Sequence, residues 1–545
     1  MDDFARATFA TTSGSRSRPR RARQALIADA HDDLGFLPIG AEVLPLRHRL
    51  AFDGPAGPVV RSPPVPSPSA SPGRRSETLG GLRASGWSSR TVKEELRTNL
   101  LARLAEDRPI VSGIIGYDES VLPAIENAIV AGHDLVLLGE RGQAKTRLAR
   151  LLIGLLDDAI PVVRGGELND DPTAPISPSG RTIVAEHGDA TPIDWLPRDR
   201  RYAEKLATPD ITIADLIGEV DPIRVAEGRY LNDELTLHYG LIPRSNRGIF
   251  AINELPDLAE RIQVGLLNIL EERDVQIRGF TVRLPLDLFV IASANPEDYT
   301  SRGRIITPLK DRLGSQVRTH YPRTLDHELA IVRQEKQRFV GGEGEPVIAV
   351  PAFMEELLAE LTHLARRSPE ISQRSGVSVR VTVANAEVLE AASLRRAVRL
   401  GETVAAPRVS DLGAVVASTV GKIELESVGD DAPEERIVER LITKALFATF
   451  GRIVDIDELD EVVLAFEEGL VIETGERVPS RDYVRWMTEI PGLHEAVRRL
   501  GTFDVTDGAE EPAVVAAAVE FLLEGLHLAR RINKDRSGAG TVYRR

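Results

Sequence analysis

Cysteine is absent from this 545-residue chain. That absence excludes disulfides, iron–sulfur clusters, thiolate zinc sites and a cysteine nucleophile together. Histidine is sparse, with ten residues scattered and no HExxH pair, so a histidine-built metal site has no local support. No run of about eighteen apolar residues occurs, so no membrane-spanning helix is expected. The N-terminus lacks an apolar h-region, so no secretory signal is expected. A reducing cytoplasm fits these absences. Positive charge is also short: 68 Lys and Arg face 83 Asp and Glu, for a net charge of -15. Neutralising a nucleic-acid backbone needs Lys and Arg, so nucleic acid is not the expected partner.

What remains is ordinary soluble composition, 42% apolar and 28% charged, on a chain long enough for several domains. Residues 1–90 stand apart. They hold ten of the 34 prolines, and their 13 arginines outnumber their 8 acids, so the acidic excess lies wholly in the rest. Residues 54–75 are low-complexity and favour extended, polyproline-like conformers that bury too little to offset ordering entropy. A disordered Pro/Arg-rich extension is expected over 1–90.

From residue 91 the texture changes. Residues 92–108 read as a helix with Leu96, Leu100, Leu101 and Leu104 near one face, and 121–130 as another. Short apolar runs at 134–138, 248–252 and 286–292 read as buried parallel strands. Helical patterns separate them, notably 258–272. This alternation predicts an α/β fold with a parallel sheet covered on both faces. Beyond Pro322 the signals turn helical, at 323–337, 353–366, 384–400, 437–450 and 514–532. The end, 533–545, is basic and glycine-containing and reads as a loose tail.

The run 134–138 leads directly into Gly139, Glu140, Arg141, Gly142, Gln143, Ala144, Lys145 and Thr146, and then into a helix. Strand, loop and helix in that order make a phosphate-binding loop. Backbone N–H groups curl around a phosphate, Lys145 supplies a point charge, and Thr146 offers a hydroxyl to magnesium. A glycine is expected where Ala144 stands; alanine is tolerable there if it already has helical backbone angles. The run 249–252 ends in Asn253 and Glu254. Glu254 can polarise an attacking water. Asn253 keeps a carbonyl oxygen for the magnesium shell but lacks the usual aspartate charge, so weaker metal binding is expected. The run 286–292 leads to Asn295, placed to hydrogen-bond a γ-phosphate or the water. Arg312 lies farther on, with Arg302, Arg304 and Arg318 as competitors for the same role, and Arg380 precedes a helical run.

On these residues the chain resembles AAA+ ATPases, specifically the magnesium-chelatase ATPase subunit and its MoxR-like relatives, over about residues 110–407. The carriers are GERGQAKT at 139–146, RGIFAINELPDL at 247–258, LLNILEERDVQIRG at 266–279 and Ala294-Asn295-Pro296. The resemblance implies an AAA+ core over 91–322, a helical lid over 323–408 and a helical C-terminal region over 409–532. It implies ATP and Mg²⁺ as ligands, Lys145 and Thr146 as the Walker A pair, and Asn253 and Glu254 as the Walker B pair. It implies Asn295 as sensor 1, Arg380 as sensor 2, Arg312 as an arginine finger acting in trans, and Ile115 and Gly116 bordering the adenine. The long stretch between Lys145 and Asn253 leaves room for an insert including 206–239. A self-assembled ring, most simply a hexamer, is implied, with a von Willebrand factor A-domain partner and a client protein. The expected activity is ATP hydrolysis used to remodel a partner, in metal insertion or maturation. A genuine magnesium-chelatase subunit in porphyrin metallation, and an ATP-gated scaffold or transcription regulator with little hydrolysis, are the alternatives.

Overall fold

The computed structural model describes residues 75–220, 237–272, 275–277, 280–282, 284–295, 304–337, 342–372, 375–426, 433–500, 511–537 and 540–545. Most of the expected extension, residues 221–236 of the expected insert, and Pro296 and Arg302 lie outside them.

The main sheet has five parallel strands, numbered here β1 (Leu135–Leu138), β2 (Tyr202–Leu206), β3 (Gly248–Asn253), β4 (Leu288–Ala294) and β5 (Ser315–Arg318). Their spatial order is β5-β1-β4-β3-β2. Side chains alternate between two cores, as the two-residue period of a strand requires. Leu135, Leu137, Ile249, Ala251, Phe289 and Ile291 pack with helices α1 (Val92–Ala105) and α2 (Val121–Val130). Val136, Phe250, Ile252, Val290 and Ala292 pack on the other face with Ile262, Leu266 and Ile269 of α4 (Glu260–Glu272). Helix α3 (Lys145–Leu151) follows β1. The expected α/β fold with a parallel sheet covered on both faces is borne out. Two strands escaped the sequence reading, β2 (YAEKL) and β5 (SQVR), because as edge strands they carry polar residues.

Helix α1 begins at a capping box: Thr91 accepts from the Glu94 N–H, and Glu94 accepts from the Thr91 N–H at 2.9 Å. Leu96 and Leu100 are buried, but Leu101 and Leu104 are exposed, contrary to the expected single face. Val92, Leu96 and Leu100 form the inward row, and Glu95 joins it because its carboxylate meets Arg201, just before β2, in a buried two-bond pair at 2.7 and 2.6 Å. The Asp157 N–H also donates to Glu95, and Arg201 Nε donates to the Arg247 carbonyl, so the pair leaves little unsatisfied.

Part of the expected extension, from residue 75 onward, forms ordered structure. Helix Leu79–Ala84 is capped by Thr78 and buries Leu79 and Leu82, and Trp195 Nε1 donates to the Ser76 carbonyl at 3.0 Å. Two leucines and a cap suffice here, a signal lost when composition is averaged over ninety residues.

Between α3 and β2 lies an antiparallel pair, Ala159–Val163 with Ile193–Pro197, and helix Pro178–His187 joins its strands. The described part of the expected insert contains a short pair, Gly218–Val220 with Leu237–Tyr239.

The second half is built on α5 (Leu325–Glu335), α6 (Ala352–Arg367), α7 (Val379–Leu400), α8 (Glu434–Ile453) and α9 (Pro512–Leu528). One apolar core runs from Val332 to Tyr543. The expected division at residue 408 is therefore no seam in the packing. Arg408 itself is fully buried, stacks on the Tyr483 ring at 4.8 Å and donates to the Val478 carbonyl at 2.9 Å. The expected loose tail is also corrected. Asn533–Ser537 and Gly540–Arg544 form a hairpin whose second strand pairs with Ile472–Thr474. Tyr543 is buried there, and its alternation with polar neighbours was masked by the basic charge. Among the described residues no helix is long and apolar enough to cross a membrane.

Candidate functional site

In an open parallel sheet, ligands bind outside the carboxyl ends of the strands, where connections leave in opposite directions. Here that point is the end of β1, flanked by β4 and β5. A cleft of about 680 Å³ opens there, lined by the 141–147 loop and helix start, the ends of β2, β3 and β4, and α5 and α7. Ile114, Ile115, Pro322, Ile331, Val379 and Val383 make its apolar part.

The loop is held open by close approaches. Gly142 sits at φ +77, and a Cβ on it would fall 1.9 Å from Ser378 Oγ at the start of α7. A Cβ on Gly139 would fall 1.9 Å from Thr319 Oγ1. Buried Gln143 accepts from the Glu140 N–H at 3.1 Å and from Thr319 Oγ1 at 2.7 Å. Behind the loop, the Tyr117 hydroxyl lies 2.9 Å from the Gln143 carbonyl, and its burial pushes its pKa up to about 12. The Tyr321 hydroxyl donates to the Arg141 carbonyl at 2.8 Å. The Tyr321 ring lies under the Arg366 guanidinium, which pairs with Glu328 of α5.

Ala144 departs from expectation. It is left-handed, at φ 57 and ψ 17, and caps α3 from outside instead of belonging to it. A non-glycine residue there costs about 1–2 kcal/mol. Gly142→Ala should therefore destabilise the chain by more than about 2 kcal/mol, through strain plus the clash with Ser378. Ala144→Gly should be neutral or gain up to about 1 kcal/mol, because relief of strain is partly offset by a looser unfolded chain. Urea unfolding of the two variants checks this; equal losses in both would contradict it.

Lys145 Nζ donates to the Glu140 carbonyl at 2.8 Å, to Asn295 Oδ1 at 2.7 Å and to the Gly139 carbonyl. Thr146 Oγ1 donates to Asn253 Oδ1 at 3.3 Å, and Ser293 Oγ donates to the same oxygen at 3.2 Å. Glu254 follows at φ 57 and ψ 47, a strained left-handed position, and its N–H donates to Ser293 Oγ at 3.2 Å. Strain of this kind on a non-glycine residue, about 1–3 kcal/mol, persists only where the surroundings enforce it.

The structure thus gathers Lys145, Thr146, Asn253, Glu254 and Asn295 at one end of the sheet. Arg141, Gly142, Gln143 and Ala144 line the cleft with them, as do Ile115 and Arg380. Gly139 and Glu140 face a neighbouring recess but turn their carbonyls to Lys145. Gly116, at φ +79, packs against His327 and does not line the cleft. Arg312, itself exposed, ends helix Thr307–Arg312 and does not line it either, nor do Arg304 and Arg318.

Glu204, on β2, also lines the cleft and was not singled out from the sequence. It accepts from Asn253 Nδ2 at 2.6 Å, from Arg150 of α3 at 2.7 and 3.0 Å, and from the Tyr202 hydroxyl at 3.0 Å. Burial alone would raise its carboxyl, but the bonds from Arg150, Tyr202 and Asn253 outweigh that and hold it below the usual range. Among the described residues no group of three or more His, Asp or Glu side chains could hold a metal alone. The Thr146 hydroxyl and the Asn253 carbonyl are hard oxygen donors, and they suit a magnesium ion that keeps phosphate and water as its other ligands.

No protein-family model matches the chain. The chloroplastic magnesium-chelatase subunits ChlI of Oryza sativa subsp. indica and subsp. japonica are each 28% identical over 263 residues, 46% of this chain and 57% of the relative. The magnesium-chelatase subunit ChlI of Cyanidium caldarium is 22% identical over 271 residues, 48% of this chain and 71% of the relative. The chain thus spans little more than half the length of the rice relatives. The BchI–BchD complex of magnesium chelatase aligns at 20% identity and a TM-score of 0.31, covering 62% of this chain and 94% of that one. The fold rests on the strand order and not on that overlap. The resemblance to magnesium-chelatase-type AAA+ ATPases, read from the motifs, is borne out by the ChlI relatives.

Proposed function

We propose that the chain binds ATP with Mg²⁺ in this cleft and hydrolyses it, as an AAA+ ring that remodels a partner protein in metal insertion or maturation. The observation that carries the reading is convergence. Lys145 and Asn295 are 150 positions apart in sequence and share a hydrogen bond, and Thr146 meets Asn253 across 107 positions. Chance surface polarity does not bring a loop lysine, a helix-start hydroxyl and three strand-end side chains to one point.

In this reading the loop N–H groups and Lys145 hold the phosphates, and the apolar part of the cleft takes the base. Magnesium, when bound, neutralises charge on the phosphates, with Thr146 and Asn253 as its protein donors. Glu254 orients and polarises the attacking water, and Asn295 fixes its position against the γ-phosphate. The helical region 323–408 acts as the lid, with Arg380 at the start of α7 reaching the phosphates. Arg312, outside its own cleft, serves the neighbouring protomer, which makes a ring, most simply a hexamer, the working form. A von Willebrand factor A-domain protein is the proposed partner, and the cytoplasm the proposed compartment.

Calorimetry with ATP and Mg²⁺, followed by malachite-green detection of phosphate, tests the core of this. Binding in the micromolar range with slow, protein-dependent phosphate release is expected. Binding without release would leave an ATP-gated scaffold, and no binding would remove the reading.

A further inference from the structure

Asn253 poses a problem that its neighbours answer. An asparagine amide has two nearly isosteric orientations, and only one offers oxygen to a cation. The other presents an NH₂ group, which repels it. The orientation here is set by Glu204. An ionised carboxylate can only accept, and it stands 2.6 Å from Nδ2, so a flipped amide would place oxygen against oxygen. With Nδ2 held on the β2 side, Oδ1 faces the Thr146 and Ser293 hydroxyls. Glu204 is itself fixed. Two bonds from Arg150 and one from Tyr202 hold it, and β2 runs parallel to β3 with Leu206 opposite Asn253.

We propose that Glu204 is a positioning residue for the nucleotide's cation: from β2 it aims the Asn253 carbonyl at the shell shared with Thr146. The inference rests on reading the cleft as the ATP site. It has a consequence opposite to simple restoration of aspartate. Asn253→Asp alone would set two carboxylates face to face where a donor now meets an acceptor. Exchanging the two groups, Asn253→Asp with Glu204→Gln, restores a donor and an acceptor with their strands swapped.

The test uses the purified full chain, the slowly hydrolysed analogue ATPγS, and Mn²⁺ as a paramagnetic probe whose free concentration is read by EPR. ATPγS affinity in EDTA is measured alongside as the control for folding and for the nucleotide pocket. Glu204→Gln is expected to weaken Mn²⁺ uptake by about tenfold while changing the EDTA affinity by less than about twofold. Asn253→Asp alone should not exceed the wild type, and the double variant should recover it, giving coupling far from additive. If Glu204→Gln leaves Mn²⁺ uptake unchanged, or Asn253→Asp alone does as well as the double variant, the inference is overturned while the nucleotide site stands. If the wild type does not bind ATPγS at all, the nucleotide reading falls and takes the inference with it.

Discussion

Glu254→Gln is expected to keep ATP bound and to cut phosphate release by at least about a hundredfold, the usual contribution of a positioned base or water-polarising group. The amide retains the size of the carboxylate but cannot accept a proton. The backbone strain at this residue is set by β3 and by the Ser293 bond to its N–H, so the variant should leave the loop and Lys145 undisturbed. Lys145→Ala is the contrasting variant. It removes the charge that bridges Glu140, Asn295 and Gly139, and it should lower nucleotide affinity itself. Calorimetry and phosphate release on both variants separate binding from chemistry. If Glu254→Gln released phosphate at the wild-type rate, Glu254 would have no part in activating water.

Glu95→Ala should cost about 3–5 kcal/mol, the largest stability loss expected from a single change in the core. Arg201 is 1% exposed at its side chain, and Glu95 is its carboxylate partner. Truncating Glu95 leaves the buried guanidinium with one hydrogen bond, to the Arg247 carbonyl, and with the nearby Asp287 carboxylate as its remaining counter-charge, and it also strips an acceptor from the Asp157 N–H. The cost comes from the orphaned charge more than from the lost attraction, so Glu95→Leu with Arg201→Met should recover much of it. Urea midpoints for the single and double variants check the sign. A loss below about 1 kcal/mol for Glu95→Ala would mean that water reaches Arg201. Arg201 directly precedes β2, so the same variant should loosen the strand that carries Glu204.

The legibility of the site followed from where its strands lie. β1, β3 and β4 are inner strands buried on both faces, so each reads as an apolar run, and the change of residue type after each run marked itself: Gly139, Asn253 and Asn295. β2 sits at the sheet edge and reads YAEKL, with no run to see, so Glu204 stayed hidden although Asn253 announced a missing charge. The two are 49 positions apart, and nothing local in sequence links them. The departure at Ala144 was visible as a residue type, but its backbone angle was not. The residue type alone suggests a helical angle, whereas the loop turns left-handed at Ala144 before α3 starts. Past Pro322 the helices were legible from their spacing. Their merger into one core was not, because periodicity shows that a face is buried without showing against what.

That merged core has a mechanical corollary. Helix α7 begins where Ser378 abuts Gly142 and runs 22 residues, or about 33 Å at 1.5 Å per residue, into apolar packing shared with α6 and the segments beyond residue 408. Any movement imposed at its first turn would therefore pass into packing that continues across residue 408, instead of stopping at a boundary there.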